Sequence, residues 1–123
     1  FGNWFYGESG KYNLLSDYKF SVCFENSLAP GGGYYTEKLI HAKCAGTLPL
    51  YYADSRVKED FNIKSFLNLN DYDSMQDLVD HVIEIDQNDN LYNEIINEPL
   101  FEKLPNKDDL EELKQKIKNL IKF

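Results

Sequence analysis

The stretch Tyr18–Pro49, YKFSVCFENSLAPGGGYYTEKLIHAKCAGTLP, contains the segments from which the fold is read. Tyr18 to Glu25 is rich in aromatic and β-branched residues, and Phe20 to Phe24 is nearly all apolar. This predicts a strand buried on both faces. Asn26 to Gly33 is turn chemistry, with Gly31, Gly32 and Gly33 following Pro30. Thr36 is placed to cap a helix carrying Leu39, Ile40, Ala42, Lys43 and Ala45, and Gly46 stops it. Leu48 to Tyr52 then reads as a second buried strand. Strand, glycine loop, helix and strand in that order predict an α/β fold: a Rossmann-like parallel sheet flanked by helices.

The same order suggests chemistry. Backbone N–H groups at a helix start lack partners, and the peptide dipoles make that end positive. Lys38 adds a full positive charge in the first turn. A phosphate-binding crevice at the carboxyl end of a parallel strand is one reading. A plain connector with no ligand is the other, since the loop matches no consensus phosphate motif.

Particular letters add to this. Tyr18-Lys19-Phe20, Phe24-Glu25-Asn26-Ser27, Tyr34-Tyr35-Thr36-Glu37-Lys38 and Gly46-Thr47-Leu48-Pro49 stand in this order. They resemble the donor-binding motif of the α1,3/1,4-fucosyltransferase family, glycosyltransferase family 10. Lys64-Ser65-Phe66-Leu67-Asn68 and the turn from Asp86 to Tyr92 continue the resemblance, so it runs from Tyr18 to about Pro99.

The resemblance implies the C-terminal, donor-binding half of a GT-B glycosyltransferase. Such an enzyme transfers fucose from GDP-fucose to N-acetylglucosamine of a glycan, with inversion and without a cofactor or a bound metal ion. Carried over residue by residue, Lys38 meets the pyrophosphate and Tyr34 donates to a phosphate oxygen. Asn26 bonds phosphate or sugar. Glu37 holds ribose hydroxyls or steadies positive charge on the fucosyl ring. Glu25 is equally readable as a structural acceptor or a functional group. The general base is expected in an N-terminal half that this chain lacks, and a phosphate-binding arginine that precedes the first motif in the family has no match here, so the isolated chain is expected to bind GDP-fucose weakly, if at all, and not to turn over. Two departures bear on the donor site. The loop Ser27–Gly33 is longer than is usual in the family, with Gly33 where an acidic residue often stands, and Tyr35 replaces Val or Ile. A transferase of another nucleotide sugar and a non-catalytic α/β interaction domain remain as alternatives.

Composition sets outer limits. The chain has 123 residues, 42% hydrophobic and 15% aromatic, enough for one packed domain. A net charge of −8 with a single arginine, Arg56, argues against a nucleic-acid partner. Cys23 and Cys44 lack disulfide or metal spacing and read as buried free thiols.

The rest divides into an irregular aromatic and glycine-rich lead-in (1–17), a nucleotide-sugar-binding domain (18–104) and a C-terminal amphipathic helix (105–123). Lys11 to Ser16 reads as a linker or irregular helix. Asp54, Ser55 and Arg56 follow the second strand and read as a solvated loop or a ligand-side loop. Val57 to Phe61 is a helical turn, and Phe66 to Leu69 is β-like. Ser74 or Asp73 caps a helix over Met75–Ile85 whose Leu78, Val82 and Ile85 face the core. His81 reads as a surface residue without a partner, and His41 as packing or ligand-facing. Leu91–Asn97 is a helix ended by Pro99. Asp108 caps the last helix, where Leu110, Leu113, Ile117, Leu120 and Ile121 form one stripe. That stripe packs on the sheet or on a missing half, or lies on a membrane surface. The absence of an Asn-x-Ser/Thr sequon leans toward a cytoplasmic or membrane-peripheral protein of bacterial or viral type, with the Golgi lumen as the eukaryotic alternative.

Overall fold

A computed structural model of the chain describes residues 8–27, 34–104 and 106–121. The elements are α1 (Glu8–Leu15), β1 (Phe20–Phe24), α2 (Lys38–Cys44), β2 (Leu48–Tyr52), α3 (Val57–Asp60), β3 (Leu67–Asn68), α4 (Met75–Gln87), α5 (Asp89–Asn97) and α6 (Lys107–Leu120). Single 3₁₀ turns flank β3 at Ile63–Ser65 and Leu69–Asp71. All three strands run parallel in the order β1-β2-β3. Phe20 pairs with Leu48, Phe24 with Tyr52, and Leu50 with Leu67.

The pleat sends alternate side chains to opposite faces. On one face Cys23 and Tyr51 pack with Leu39 and Ala42 of α2, and with Val57, Phe61, Phe66 and Leu100. On the other, Leu48 and Leu67 pack with Leu78 and Ile85 of α4, and Phe20, Tyr92 and Ile95 close around them. Helices on both faces of a parallel sheet are the α/β arrangement expected from the strand–loop–helix order.

β1 departs from its expected burial. Ser21 and Cys23 are buried, but Val22 is 70% exposed. β1 is an edge of the described sheet, and the covering on its second face reaches Phe20, whose ring meets Tyr92 edge-on at 5.8 Å, and leaves Val22 open. A run of apolar letters does not show which face a helix covers.

α2 ends as its sequence demands. Gly46 has φ +79°, the left-handed region that favours glycine, and its N–H donates to Lys43 O while Thr47 N–H donates to Ala42 O, both at 3.0 Å. The Thr47 hydroxyl, also buried, donates to Ala42 O at 3.0 Å and lies 2.7 Å from the Ser21 hydroxyl, tying the end of α2 to β1.

Several local expectations change. Residues 11–16, read as a linker or irregular helix, lie largely within the regular helix α1. Ser74 is the cap of α4, accepting from Asp77 N–H at 3.2 Å. α6 is capped by Asn106, not Asp108. The Asn106 side chain accepts from Asp108 and Asp109 N–H, and the Asp109 carboxylate accepts from Asn106 N–H in return. No described residue of α6 is buried, so its apolar stripe does not pack on this sheet. Among the described residues no helix is long and apolar enough to cross a membrane. His81 is half-buried, with Nδ1 2.7 Å from the Tyr72 hydroxyl, and so is not a lone surface residue. Cys23 is buried as expected, but Cys44 at the end of α2 is exposed.

Candidate functional site

Glu25 is the first residue beyond β1, and its N–H still donates to Tyr52 O at 2.9 Å, extending the β1–β2 ladder by one bond. That bond helps hold its side chain under the chain entering α2. The carboxylate is fully buried and is the acceptor for four groups. Thr36 N–H donates to Oε1 at 2.8 Å, and the Thr36 hydroxyl lies 3.0 and 2.9 Å from the two oxygens. Lys38 Nζ donates to Oε2 at 3.0 Å. The Tyr51 hydroxyl, 3.4 Å from Oε1, closes the network from β2. A buried carboxylate is costly unless paired and hydrogen-bonded, and here it is both.

This network changes two expectations. Thr36 does not cap α2. The cap position falls on Glu37, whose backbone is helical and whose side chain makes no capping bond, while the Thr36 hydroxyl is committed to Glu25. Lys38 is not an isolated cation at a helix start, because its ammonium is bonded to Glu25 on one side. The side chain keeps 27% of its surface open on the other. Glu25, hydrogen-bonded to that ammonium, holds Lys38 above the ordinary lysine range. Burial pushes the Tyr51 hydroxyl up, and the Glu25 charge adds to this.

The four residues assigned to the donor gather at the carboxyl end of β1. Asn26 is exposed just past the strand, Tyr34 is 40% exposed, and Glu37 is exposed beside Lys38. The Glu37 carboxylate is held below the usual range, first by its own backbone N–H, and further by the charges of His41 and Lys11. The glycine run 31–33, with residues 28–30 before it, lies outside the described residues, as do residues 1–7.

Other candidates are placed differently. His41 Nδ1 lies 2.9 Å from Lys11 Nζ, and its ring meets Tyr12 edge-on at 5.5 Å, so it is packed between α1 and α2. Asp54 is buried rather than solvated, and its carboxylate accepts from Arg56 N–H at 2.9 Å to close the turn after β2. Arg56 pairs with Glu59 at 3.1 Å on the surface. Lys19 also has a structural role: its ammonium bonds the Asp86 carboxylate at 2.7 Å and sits 4.9 Å over the Tyr92 ring. Among the described residues, no group of three or more His, Cys, Asp or Glu side chains could hold a metal ion.

Glu25 is the residue whose role could not be read from the letters. Its partners lie 11, 13 and 26 positions away, beyond the reach of any local pattern. The only sequence-level signal is an acid at the end of an apolar strand with a Thr-x-Lys after the loop.

Comparison with known proteins identifies the family. Residues 3–97 match the model of glycosyltransferase family 10 (fucosyltransferase), C-terminal region. An α-(1,3)-fucosyltransferase of Helicobacter pylori is 38% identical over 93 residues, which are 76% of this chain and 19% of that protein. α-(1,3)-Fucosyltransferase B of Drosophila melanogaster is 35% identical over 81 residues, 65% of this chain and 18% of that protein. The chain therefore spans about one-fifth of the length of these relatives. A crystal structure of an α1,3-fucosyltransferase with GDP-fucose superposes with a TM-score of 0.71 at 32% identity, covering 85% of this chain and 33% of that one. One with GDP gives the same TM-score at 36% identity, covering 79% and 28%.

Proposed function

The chain belongs to glycosyltransferase family 10, the fucosyltransferases, and from this premise we propose that it is the donor-binding part of an inverting α1,3-type fucosyltransferase. What supports the reading is the position of Lys38, partly open beside Glu37 at the carboxyl end of a parallel strand, within the segment that the family model matches. GDP-fucose is the donor. The open side of the Lys38 ammonium meets its diphosphate, where negative charge grows as GDP departs. The Tyr34 hydroxyl and the Asn26 amide donate to phosphate or sugar oxygens. Glu37, kept ionised by its own N–H, accepts from ribose hydroxyls or faces the positive charge that develops on the fucosyl ring.

In the transfer, a hydroxyl oxygen of N-acetylglucosamine in the acceptor glycan attacks the anomeric carbon on the face opposite GDP. The bond from that carbon to the diphosphate breaks, and its electron pair leaves with GDP. A carboxylate takes the acceptor's proton. That base and the acceptor contacts come from residues beyond this chain, consistent with its covering 19% of the Helicobacter relative.

Calorimetric titration of GDP and GDP-fucose into the wild type and Lys38→Ala tests the reading. The variant is expected to lose about 1–3 kcal/mol of GDP binding, what a charged hydrogen bond is worth. A folded wild type that binds neither ligand would overturn the reading and favour a non-catalytic α/β interaction domain. Tighter binding of a different nucleotide sugar would reassign the donor.

A further inference from the structure

We propose that Glu25 is a positioning residue for the donor's diphosphate, acting through Lys38 and Thr36 without touching the ligand. This inference rests on the donor-binding reading above and adds a role for a residue buried beneath it.

The argument is geometric. A lysine side chain has four rotatable carbons and ordinarily samples many rotamers, so ordering it for one phosphate oxygen costs entropy. Here Glu25 Oε2 holds the Lys38 ammonium at 3.0 Å before any ligand arrives. The same carboxylate holds Thr36 by its N–H and its hydroxyl, fixing the chain two residues before Lys38. Glu25 itself is fixed from below by Tyr51, a residue with no exposed surface, and by the ladder bond from its own N–H to Tyr52 O. The ammonium has three donors. One is spent on Glu25 and a second reaches the Thr36 hydroxyl at 3.5 Å, and the side chain's open surface leaves the remaining donor for an incoming anion. Glu25 is 0% exposed in its side chain, which is why it cannot be a ligand contact.

Glu25→Gln tests this, since the amide keeps an acceptor for Thr36 while presenting no charge to Lys38. Affinities for GDP and for guanosine are measured by calorimetry on wild type, Glu25→Gln, Lys38→Ala and the double variant, with circular dichroism as the check on folding. The expected result is a loss of about tenfold for GDP in Glu25→Gln, little change for guanosine, and no further loss when the change is made in the Lys38→Ala background. A purely structural role would weaken guanosine as well and would add to the Lys38→Ala loss. Either outcome overturns the inference, as does GDP binding by Glu25→Gln equal to or tighter than that of the wild type.

If Glu25→Gln does not fold, Thr36→Val carries the test. It removes the hydroxyl that both carboxylate oxygens hold, and is expected to weaken GDP about threefold with guanosine unchanged. An unchanged GDP affinity overturns the inference. A wild type that binds no GDP overturns the donor reading and this inference together. A wild type that binds GDP, with Lys38→Ala weakened and Glu25→Gln not, overturns this inference alone.

Discussion

Replacing Lys38 with methionine isolates the pair at the centre of the site. Methionine keeps most of the aliphatic stem and removes the ammonium, so the buried Glu25 carboxylate loses its only salt-bridge partner among the described residues. Breaking a fully buried pair by removing one partner typically costs about 3–5 kcal/mol. Two features lower the figure here. Lys38 keeps 27% of its side chain in solvent, and Glu25 retains Thr36 N–H, the Thr36 hydroxyl and Tyr51. A loss of about 2 kcal/mol is expected, near the worth of one charge-assisted hydrogen bond. For a domain of this size that lowers the Tm by roughly 8 °C.

The pH dependence has a definite sign. Lys38 is raised above its ordinary value of 10.5 by Glu25, so its folded pKa exceeds its unfolded one. The stability it contributes is fully present below the unfolded value and is lost as pH rises through the folded one. The gap between wild type and Lys38→Met is therefore flat from about pH 7 to 9 and narrows above 10.5. Urea and thermal unfolding of both proteins across that range measure it. A Tm unchanged by the substitution, or a gap that widens with alkali, would refute the pairing argument.

Three further outcomes follow from packing and backbone geometry. Ile85→Ala removes a side chain with no exposed surface from the α4 contact with the sheet, and is expected to cost about 2–5 kcal/mol in chemical unfolding. Gly46→Ala meets no atom within 4 Å of the added Cβ, so its cost is that of a left-handed alanine alone, about 1–2 kcal/mol; a loss much larger than that would show a clash that the geometry does not contain. A thiol reagent at neutral pH is expected to modify Cys44 in the native chain, and Cys23 only on unfolding, because burial closes off Cys23 and pushes its thiol up to about 11; mass mapping of the labelled residue decides it.

What the sequence determined by itself was local or was written in letters. The Phe20–Phe24 and Leu48–Tyr52 strands, the stop at Gly46 and the α4 face carrying Leu78 and Ile85 all follow from periodicity and φ preference acting over a few residues. The ordered motifs around Asn26, Tyr34, Glu37 and Lys38 carried the family resemblance, because such motifs are contiguous in the chain. Tertiary structure alone decided which apolar residues would be covered. Val22 is open because β1 is an edge of the described sheet with α4 and α5 reaching only Phe20, Cys44 is open at the end of α2, and the α6 stripe finds no partner in that sheet. It alone decided that Thr36 and Lys38 turn to Glu25. That choice is made by the parallel register that sets Cys23 and Phe24 against Tyr51 and Tyr52, and by the docking of α2 over them. A residue's own pattern says whether it belongs on a strand or a helix. Which distant group meets its side chain depends on how those elements are stacked, and that is a property of the folded chain.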